Sequence, residues 1–453
     1  MRFLPHTDAD RTAMLQTIGV ADTRALFADI PERFHLRPGS LELSEALSEA
    51  GIVRRFTEAA ERNRHAGNSR CFLGGGTYHH FVPAVVDYVI GRGEFLTAYT
   101  PYQPEIAQGT LQVLFEYQTM VARLTGMEVS NASMYDAATA VAEAALMARR
   151  ISRRDKVVIA GSVNPRYRAV TRNYLSRQDG NLVETKCAEF CTDMAPLAAA
   201  VDASTACVIV QYPDYFGSVY DLAKVRALCD AHGALMVVAF SDATAFALIA
   251  PPGECGADIV VGSGQALGIP MGFGGPHLGI LACKQAHLRQ MPGRVAGMTQ
   301  DTQGRRGFVL TLSTREQHIR REKATSNICS NQGLMCTAAA TYMALLGDEG
   351  LTTVAERSAA ALTMLVAGLP SDVQAAAGPH YNETVLSFSD GARRTRFLEA
   401  ARARDIFAGI PLEQLQDGFG GGDFEPRHLL VATTEMIEAN DIRDYLDALG
   451  ASR

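Results

Sequence analysis

The chain contains 453 residues, about three times the roughly 150 residues of a common domain, and this length favours one large α/β core with a smaller domain. Apolar residues make up 47% and charged residues 20%, a balance that excludes a disordered or collagen-like chain. The formal net charge of −7 excludes the uniform basic field with which proteins hold nucleic acid or an anionic membrane.

The first 65 residues predict short helices separated by polar breaks. Apolar residues recur at helical spacing over 12–18 and 24–27, and the polar segment 40–44 resembles a cap that leads into a helix over 45–64. This segment is too short and too polar to fold alone, so we expect residues 1–65 to form a helical clasp that wraps a larger body. Residues 71–108 are rich in glycine and aromatic residues and predict loops, followed by a helix over 109–124.

Strands and helices alternate in the middle of the chain. Short apolar runs predict buried strands at 157–160, 207–211, 234–240, 259–261 and 278–283. A helical pattern over 222–232 separates two of these runs. Such alternation is typical of a mostly parallel sheet that is covered on both faces, so we expect a large three-layer αβα domain over 66–323.

The remainder of the chain, residues 324–453, predicts a smaller α+β domain. Apolar periodicity indicates helices at 332–346, 351–366 and 437–448, with weaker strands at 384–388 and 428–433.

The cysteines and the apolar segments indicate the cellular compartment in which the protein works. The nine cysteines include no CxxC pair, which indicates free buried thiols in a reducing compartment and no metal site. The N-terminus lacks the apolar core of a secretion signal. The most apolar run, 359–368, is about half of the roughly 20 residues that a membrane span needs. We therefore expect a cytoplasmic protein with no membrane contact.

Two segments could bind anions or approach a ligand closely. Residues 131–140 open an Ala-rich helix, and they favour either an anion cradle at the helix N-terminus or an ordinary cap by Ser133 or Asp136. Glycines crowd 262–276 after a strand, which indicates close approach of the backbone to a ligand or another chain. No GxGxxG opens a helix and no GxxxxGK[ST] occurs, so dinucleotide and nucleoside-triphosphate sites have little support.

Two further segments carry charge or aromatic rings. Residues 313–327 place basic side chains close together, as either a solvated helix face or an anion-binding edge. The loop 99–103 contains Tyr99, Tyr102 and Gln103, and the prolines at 101 and 104 restrict it. This predicts a shaped surface, with packing of a subunit interface as the alternative.

These motifs resemble the glycine dehydrogenase (decarboxylating) family, the P-protein of the glycine cleavage system. The resemblance is carried by FLGGGTYHHFVPAVVDYVIGRGEFLTAYTPYQPEIAQGTLQVLFEYQTM, NASMYDAATA, GSGQALGIPMGFGGPHLG and TREQHIRREKATSNICSNQ, and it extends over nearly the whole chain. It implies the aspartate-aminotransferase-like fold of fold type I pyridoxal-phosphate (PLP) enzymes. The length matches family members in which two subunits replace one long chain.

The resemblance also implies a reaction. In the family, PLP serves as the electron sink while glycine loses CO₂, and the aminomethyl group passes to the lipoamide of the H-protein. Such an enzyme requires a Schiff-base lysine, an aspartate beside the pyridine nitrogen and a phosphate cup at a helix N-terminus. Here Gln265 stands at the lysine position, and an amide nitrogen cannot form an imine. Ala239 stands where the aspartate is expected, and Asp242 lies three residues further on.

Other lysines offer no clear substitute. The chain has only Lys156, Lys186, Lys224, Lys284 and Lys323. Of these, Lys323 alone falls in a family motif, and it lies far in sequence from the glycine-rich turn.

The segment at the helix start also departs from the family, because this chain has Ala137 where the family commonly has glycine. An alanine costs about 1 kcal/mol if the position needs a positive φ, but it is favourable if the position is helical. We therefore predict that this chain binds no cofactor, with Ser133 and Thr139 as a vestigial phosphate cup.

The resemblance implies that PLP lies in a partner, the β subunit of an α₂β₂ glycine dehydrogenase that is active only as a complex. This chain would complete the partner's glycine pocket and the entry of the lipoyl arm of the H-protein. The candidate residues are His79, His80, Tyr99, Tyr102, Gln103, Arg315, Arg320, Arg321, Lys323, Thr325 and Asn327. Two alternatives stay open: a stand-alone PLP enzyme that uses another lysine, and a purely structural subunit that docks the H-protein.

Overall fold

The computed structural model describes residues 5–36, 39–176, 181–187, 190–415 and 424–452. The expectation about the N-terminus rests partly on residues 1–4, which lie outside the described residues. Contacts within the chain divide it into two compact units, Met1–Asn63 and Arg64–Arg453. The division into domains at 1–65, 66–323 and 324–453 remains a prediction.

The described residues of the first unit form two α-helices, α1 (Asp8–Ile18) and α2 (Glu49–Ala60), with short 3-10 turns between them. The helix predicted over 45–64 is shorter than expected because Ser48 Oγ caps it, accepting from Gly51 N–H at 3.2 Å. No described side chain between 5 and 63 is buried. The described part of this unit therefore has no apolar core of its own.

The second unit is a mixed α/β structure. Its described strands are β1 (Arg70–Cys71), β2 (Val129–Ser130), β3 (Lys156–Ile159), β4 (Asn181–Glu184), β5 (Thr205–Gln211), β6 (Leu235–Phe240), β7 (Ile259–Ser263), β8 (Gly279–Cys283), β9 (Val295–Gln300), β10 (Arg306–Thr311), β11 (Val373–Ala375), β12 (Glu383–Phe388), β13 (Ile406–Phe407), β14 (Ile410–Pro411) and β15 (His428–Ala432). Its described α-helices are α3 (Ala84–Ile90), α4 (Gly93–Leu96), α5 (Gln108–Thr125), α6 (Ala137–Ser152), α7 (Pro165–Ser176), α8 (Met194–Ala200), α9 (Leu222–His232), α10 (Gln317–Arg320), α11 (Gly333–Ala367), α12 (Gly391–Arg402) and α13 (Ala439–Ala451).

A seven-stranded sheet in the order β2-β8-β7-β6-β5-β3-β4 lies at the centre. Strands β4, β3, β5, β6 and β7 run parallel, and β8 pairs antiparallel with β7 and β2. Every residue of β5, β7 and β8 is buried. Because successive strand residues point to opposite faces, both faces of the sheet are covered. The predicted mostly parallel sheet and its five buried runs are confirmed.

A second, antiparallel sheet in the order β11-β12-β15-β14 lies in the C-terminal part, with α12 and α13 packed together beside it. The helices predicted at 332–346 and 351–366 form one long element, α11, that is interrupted at Gly347. Gly347 has φ 59°, a left-handed conformation that glycine adopts without a Cβ clash. Sequence patterning does not predict α12, because its segment GARRTRFLEAAR is mostly polar.

The loop 72–83 lies between the two sheets, and this placement positions the site described below. Its start is fixed by β1, which pairs parallel with β13 near the C-terminal sheet. Phe72 then packs into the apolar core of that region against Tyr445, with ring centroids 4.5 Å apart.

None of the nine cysteines, all of which lie in the described ranges, is joined in a disulfide, but their surroundings differ. Five are buried, three are half-buried and Cys329 is exposed, so the prediction of buried thiols fails for Cys329. No helix within the described ranges combines the length and apolarity that crossing a bilayer requires.

Candidate functional site

Gln265, in the turn after β7, is bonded to the main chain of the loop 72–83. Its Oε1 accepts from Tyr78 N–H at 2.9 Å, and its Nε2 donates to Tyr78 C=O at 3.0 Å and to Ile269 C=O at 2.7 Å. The side chain is 2% exposed. Both amide hydrogens and the amide oxygen are therefore used within the protein. Gln265 therefore joins the glycine-rich turn to the loop, since its amide pairs with both the N–H and the C=O of Tyr78.

His80 forms a buried ion triad two residues beyond Tyr78. Its Nε2 lies 3.1 Å from Asp242 Oδ2, and its Nδ1 lies 2.7 Å from Glu435 Oε2. Burial alone would lower the pKa of His80, but Asp242 and Glu435 together raise that pKa to about 10. Burial opposes the ionised form of both carboxyls, yet the imidazolium holds their pKa values below the usual range. The triad is therefore charged at neutral pH.

Glu383, at the start of β12, binds the same loop. Its Oε2 accepts from Tyr78 O–H at 2.8 Å, and its Oε1 accepts from Gly75 N–H at 2.6 Å. Burial raises the pKa of Glu383 to about 8, although both hydrogen bonds act in the opposite direction. Together with the triad, Glu383 fastens the loop 72–83 to both sheets.

Asp242, the carboxylate three residues beyond Ala239, is engaged by contacts within the protein. Besides His80, it accepts from Thr244 N–H at 2.9 Å, from Thr244 O–H at 2.6 Å and from Asn382 Nδ2 at 2.8 Å. Ala239 is buried within β6 and offers only a methyl group.

The N-terminus of α6 is capped by the chain itself. Asp136 Oδ1 accepts from Thr139 N–H at 2.8 Å, which confirms the cap alternative for Asp136. Thr139 O–H donates to Asp136 C=O at 3.1 Å, and Ser133 Oγ accepts from Gln332 N–H at 3.0 Å. Ala137 is the first residue of the helix, so the favourable alternative for that substitution holds.

The aromatic loop 99–103 projects its rings outward. Tyr99 is 80% exposed and Tyr102 is 53% exposed, and Gln103 is also exposed. The buried Arg294 donates from its guanidinium to Tyr102 Oη at 3.1 Å, and its guanidinium carbon lies 5.3 Å from the centroid of the Tyr102 ring. Arg294 therefore holds the Tyr102 ring in place while the other face of the ring stays exposed.

The basic segment divides into one bound arginine and an exposed rim. Arg315 donates to main-chain carbonyls, among them Leu312 at 3.2 Å, Gly293 at 3.1 Å and Met291. Its guanidinium thus acts as a clamp, because it holds the main chain over 288–293 through these hydrogen bonds. Of the remaining candidates in this segment, those with exposed side chains are Arg320, Arg321, Lys323 and Asn327, and they form the rim.

Thr325 and Asn327 line a separate groove of about 460 Å³ beside α6. Thr325 N–H donates to Arg315 C=O at 2.9 Å, and Asn327 Oδ1 accepts from Gln317 Nε2 at 3.1 Å. The ring of His318, within the same segment, lies 6.2 Å from the Tyr102 ring. The structure thus brings the aromatic loop and the basic segment together.

His79 and His80 lie elsewhere, on the wall of a cavity of about 640 Å³ between the loop 72–83 and the glycine-rich segment 270–277. His79 C=O accepts from Thr434 O–H at 2.7 Å, and burial lowers the pKa of its imidazole. Among the described residues, no other predicted candidate lines this cavity.

These residues do not fit bound PLP. The amide of Gln265 is fully occupied, and the carboxylate of Asp136 holds the helix terminus where a phosphate would sit. No lysine lines the neighbouring cavity within the described ranges. Lys156 and Lys284 are instead paired with Asp202 and Asp258, at 2.6 Å and 2.5 Å.

Sequence reasoning misses three residues of the site: Glu383, Glu435 and Arg294. For Glu383 the signal that could have found it is a charged residue at the start of the largely apolar strand segment ETVLSF. Their partners come from segments distant in the sequence, so their roles depend on the fold.

Comparisons with known proteins show closely similar chains. The family model described as the glycine cleavage system P-protein matches residues 1–449. A probable glycine dehydrogenase (decarboxylating) subunit 1 from Rhizorhabdus wittichii is 46% identical, covering 100% of this chain and 99% of the relative. A protein of the same name from Rhodospirillum centenum is 48% identical, covering 97% of each chain.

Solved structures of the same family and fold are also similar to this chain. A crystal structure of glycine decarboxylase (P-protein) in inhibitor-bound form is 39% identical, with a TM-score of 0.89 and 100% of both chains covered. A glutamate decarboxylase from Lactobacillus brevis shares the fold at 12% identity, with a TM-score of 0.69, covering 94% of this chain and 97% of the other. These likenesses confirm the predicted fold, that of fold type I PLP enzymes.

Proposed function

Since the chain belongs to the family of the glycine cleavage system P-protein, we propose that it is subunit 1, the α subunit, of a glycine decarboxylase whose β subunit carries the PLP. The single observation that carries this proposal is the hydrogen bonding of Gln265. All its amide groups are engaged by the main chain, so the turn that would present a catalytic lysine serves here as a structural joint.

The partner is a second, related chain in an α₂β₂ assembly. The described residues of 5–63 bury no side chain, yet they include exposed apolar residues such as Phe27, Phe34 and Phe56. Exposed apolar residues recur over 81–106, for example Tyr88 and Ile106. Surfaces of this kind mark sites of protein contact, and they support an extensive interface with the β subunit.

This chain completes the glycine pocket of the partner with its aromatic loop and basic rim. Tyr99 and Tyr102 present hydroxyl groups and flat apolar faces, and Arg294 fixes Tyr102 from behind. The exposed cations Arg320, Arg321 and Lys323 supply positive charge that suits the cofactor phosphate or the glycine carboxylate. The aminomethyl group then leaves on the lipoamide of the H-protein.

We place this complex in the cytoplasm. The free thiols support that compartment, in particular the exposed Cys329, which a reducing environment keeps from oxidation.

The test replaces Tyr99 and Tyr102 by phenylalanine in the reconstituted complex and measures glycine–bicarbonate exchange. Removal of a hydroxyl that hydrogen-bonds substrate or a reacting group should cost about 2–4 kcal/mol of the activation free energy. The matched control is Tyr174→Phe, which removes the hydroxyl of a half-buried tyrosine on α7, outside both the aromatic loop and the surface over 81–106, and should leave exchange unchanged. Wild-type exchange in both loop variants, with assembly intact by sedimentation, would favour a subunit that only docks its partners.

A further inference from the structure

The cavity beside Gln265 has an apolar wall and no acidic lining. Its apolar lining residues include Leu73, Phe81, Val82, Met271, Phe407 and Met436. Among the described residues that line it, none is an aspartate or a glutamate. Its volume of about 640 Å³ lies in the range of small-molecule sites, which commonly span roughly 300–1,000 Å³.

One cation on the wall is unmatched. The guanidinium of Arg166, in the first turn of α7, makes no hydrogen bond or ion pair within the described part of the chain. The other charged lining groups are compensated, because Arg64 pairs with Asp405 at 3.1 Å and His80 is held by two carboxylates. An anionic group in the cavity would therefore find one partner, Arg166.

The loop 72–83 and the start of the glycine-rich segment, at Ile269, are held in place without a ligand. Gln265 joins them through Tyr78, while Glu383 and the ion triad fix the loop 72–83 from the other side. A site formed in advance loses less conformational entropy when it binds. Because these hydrogen bonds fix the walls of the cavity, we interpret the cavity as a binding site and not as an accidental space between two loops.

Glycine is a poor match for this cavity. The zwitterion would place an ammonium group in the field of Arg166 with no lining carboxylate to receive it, and it has no chain to cover the apolar wall. The same holds for a cationic aminomethyl group. A ligand that matches this lining has an anionic group for Arg166 and an apolar chain for the apolar wall.

We propose that this cavity binds an aliphatic monocarboxylate, with its carboxylate on Arg166 and its chain against the apolar wall. The site lies in this subunit and is separate from the glycine pocket proposed above. Its occupation requires no PLP and no turnover, so the proposal stands or fails independently of the proposed function.

The test is calorimetric titration of the full chain with hexanoate, with its neutral isostere hexanamide and with acetate. We expect hexanoate to bind at one site, and both other compounds to bind at least about tenfold more weakly, since each lacks one of the two contacts. Arg166→Gln should weaken hexanoate about tenfold and leave hexanamide unchanged. The control is Arg172→Gln on the same helix, whose arginine pairs with Glu184 at 2.7 Å outside the cavity.

The proposal would be overturned by the absence of saturable hexanoate binding at millimolar concentration, by equal binding of hexanamide, or by an unchanged affinity in Arg166→Gln. Inorganic phosphate serves as a further probe, and binding as tight as that of hexanoate would reveal a general anion site instead. Thermal unfolding of Arg166→Gln is the check on folding. It should match that of the parent chain, because the exposed guanidinium has no described partner to lose.

Discussion

The side-chain amide of Gln265 joins the turn after β7 to the loop 72–83. Its three hydrogen bonds tie Tyr78 and Ile269 together at 2.7–3.0 Å in a buried setting. Hydrogen bonds of this kind are costly to remove on one side only, because the partners stay buried without acceptors or donors. The residue is therefore expected to matter for folding.

Gln265→Met should lower the free energy of unfolding by about 2–3 kcal/mol, because it leaves Tyr78 N–H and two carbonyls unpaired. Urea unfolding of the full chain measures the loss. The control Gln374→Met changes an exposed glutamine on β11 and should shift stability by less than about 0.5 kcal/mol. Equal stability of the Gln265 variant and the parent would contradict the structural role.

Glu383 makes a second prediction at this scale, on pH. Its folded pKa of about 8 lies above the ordinary value of 4.5, so the folded state holds the proton more tightly. This contribution to stability is fully present below about pH 4.5 and is lost as the pH rises through 8. Glu383→Gln removes the titration. Relative to the parent, the variant should gain up to about 1.4 kcal/mol per pH unit between about pH 5 and pH 8.

The measurement is chemical unfolding of both proteins across that pH range. Glu356→Gln, at an exposed position on α11, is the matched control and should show no such relative gain. A stability difference that stays constant with pH would show that Glu383 is ionised in the folded protein and that burial does not raise its pKa.

At the scale of elements, the basic segment shows that neighbouring arginines have different roles. Arg315 is bound to the carbonyls that end the turn before β9, whereas Arg320 is exposed at the end of α10. Arg315→Met should cost about 2–3 kcal/mol of stability, because the carbonyls lose their donor. Arg320→Met should cost less than about 0.5 kcal/mol.

Thermal and urea unfolding of the two variants distinguish these roles, and glycine–bicarbonate exchange of the reconstituted complex completes the comparison. We expect Arg320→Met to fold normally and to reduce exchange through the loss of positive charge at the rim. If the two variants had equal stability, the clamp assigned to Arg315 would be wrong.

The elements that the sequence predicts best are the apolar strands of the central sheet. Burial on both faces gives β5 and β7 continuous apolar runs that are recognisable without the fold. By contrast, the antiparallel pair of β9 and β10 and the helix α12 carry weak patterns, because their residues are mostly half-buried or exposed. Local periodicity cannot indicate elements that depend on distant partners.

Within the site, the sequence predicts the loss of the lysine and the cap by Asp136, because each depends on one residue and its immediate neighbours. It does not predict that His80 lies between Asp242 and Glu435, which are 162 and 355 residues away along the chain. The charge of the imidazole and the cavity beside it arise only from that convergence.

At the scale of the whole molecule, the described N-terminal residues bury none of their side chains, and the aromatic loop presents Tyr99 to solvent. A chain that exposes such surfaces is suited to work in an assembly. The proposed division of labour gives one subunit the cofactor and the other the completing wall of the pocket.

The most direct test of this division is glycine–bicarbonate exchange with added PLP, measured for this chain alone, for the β subunit alone and for the two together. We expect exchange only from the mixture, with PLP trapped by borohydride on a lysine of the β subunit. Exchange by this chain alone, with borohydride labelling of one of its own five lysines in proportion to activity, would contradict the proposed division of labour.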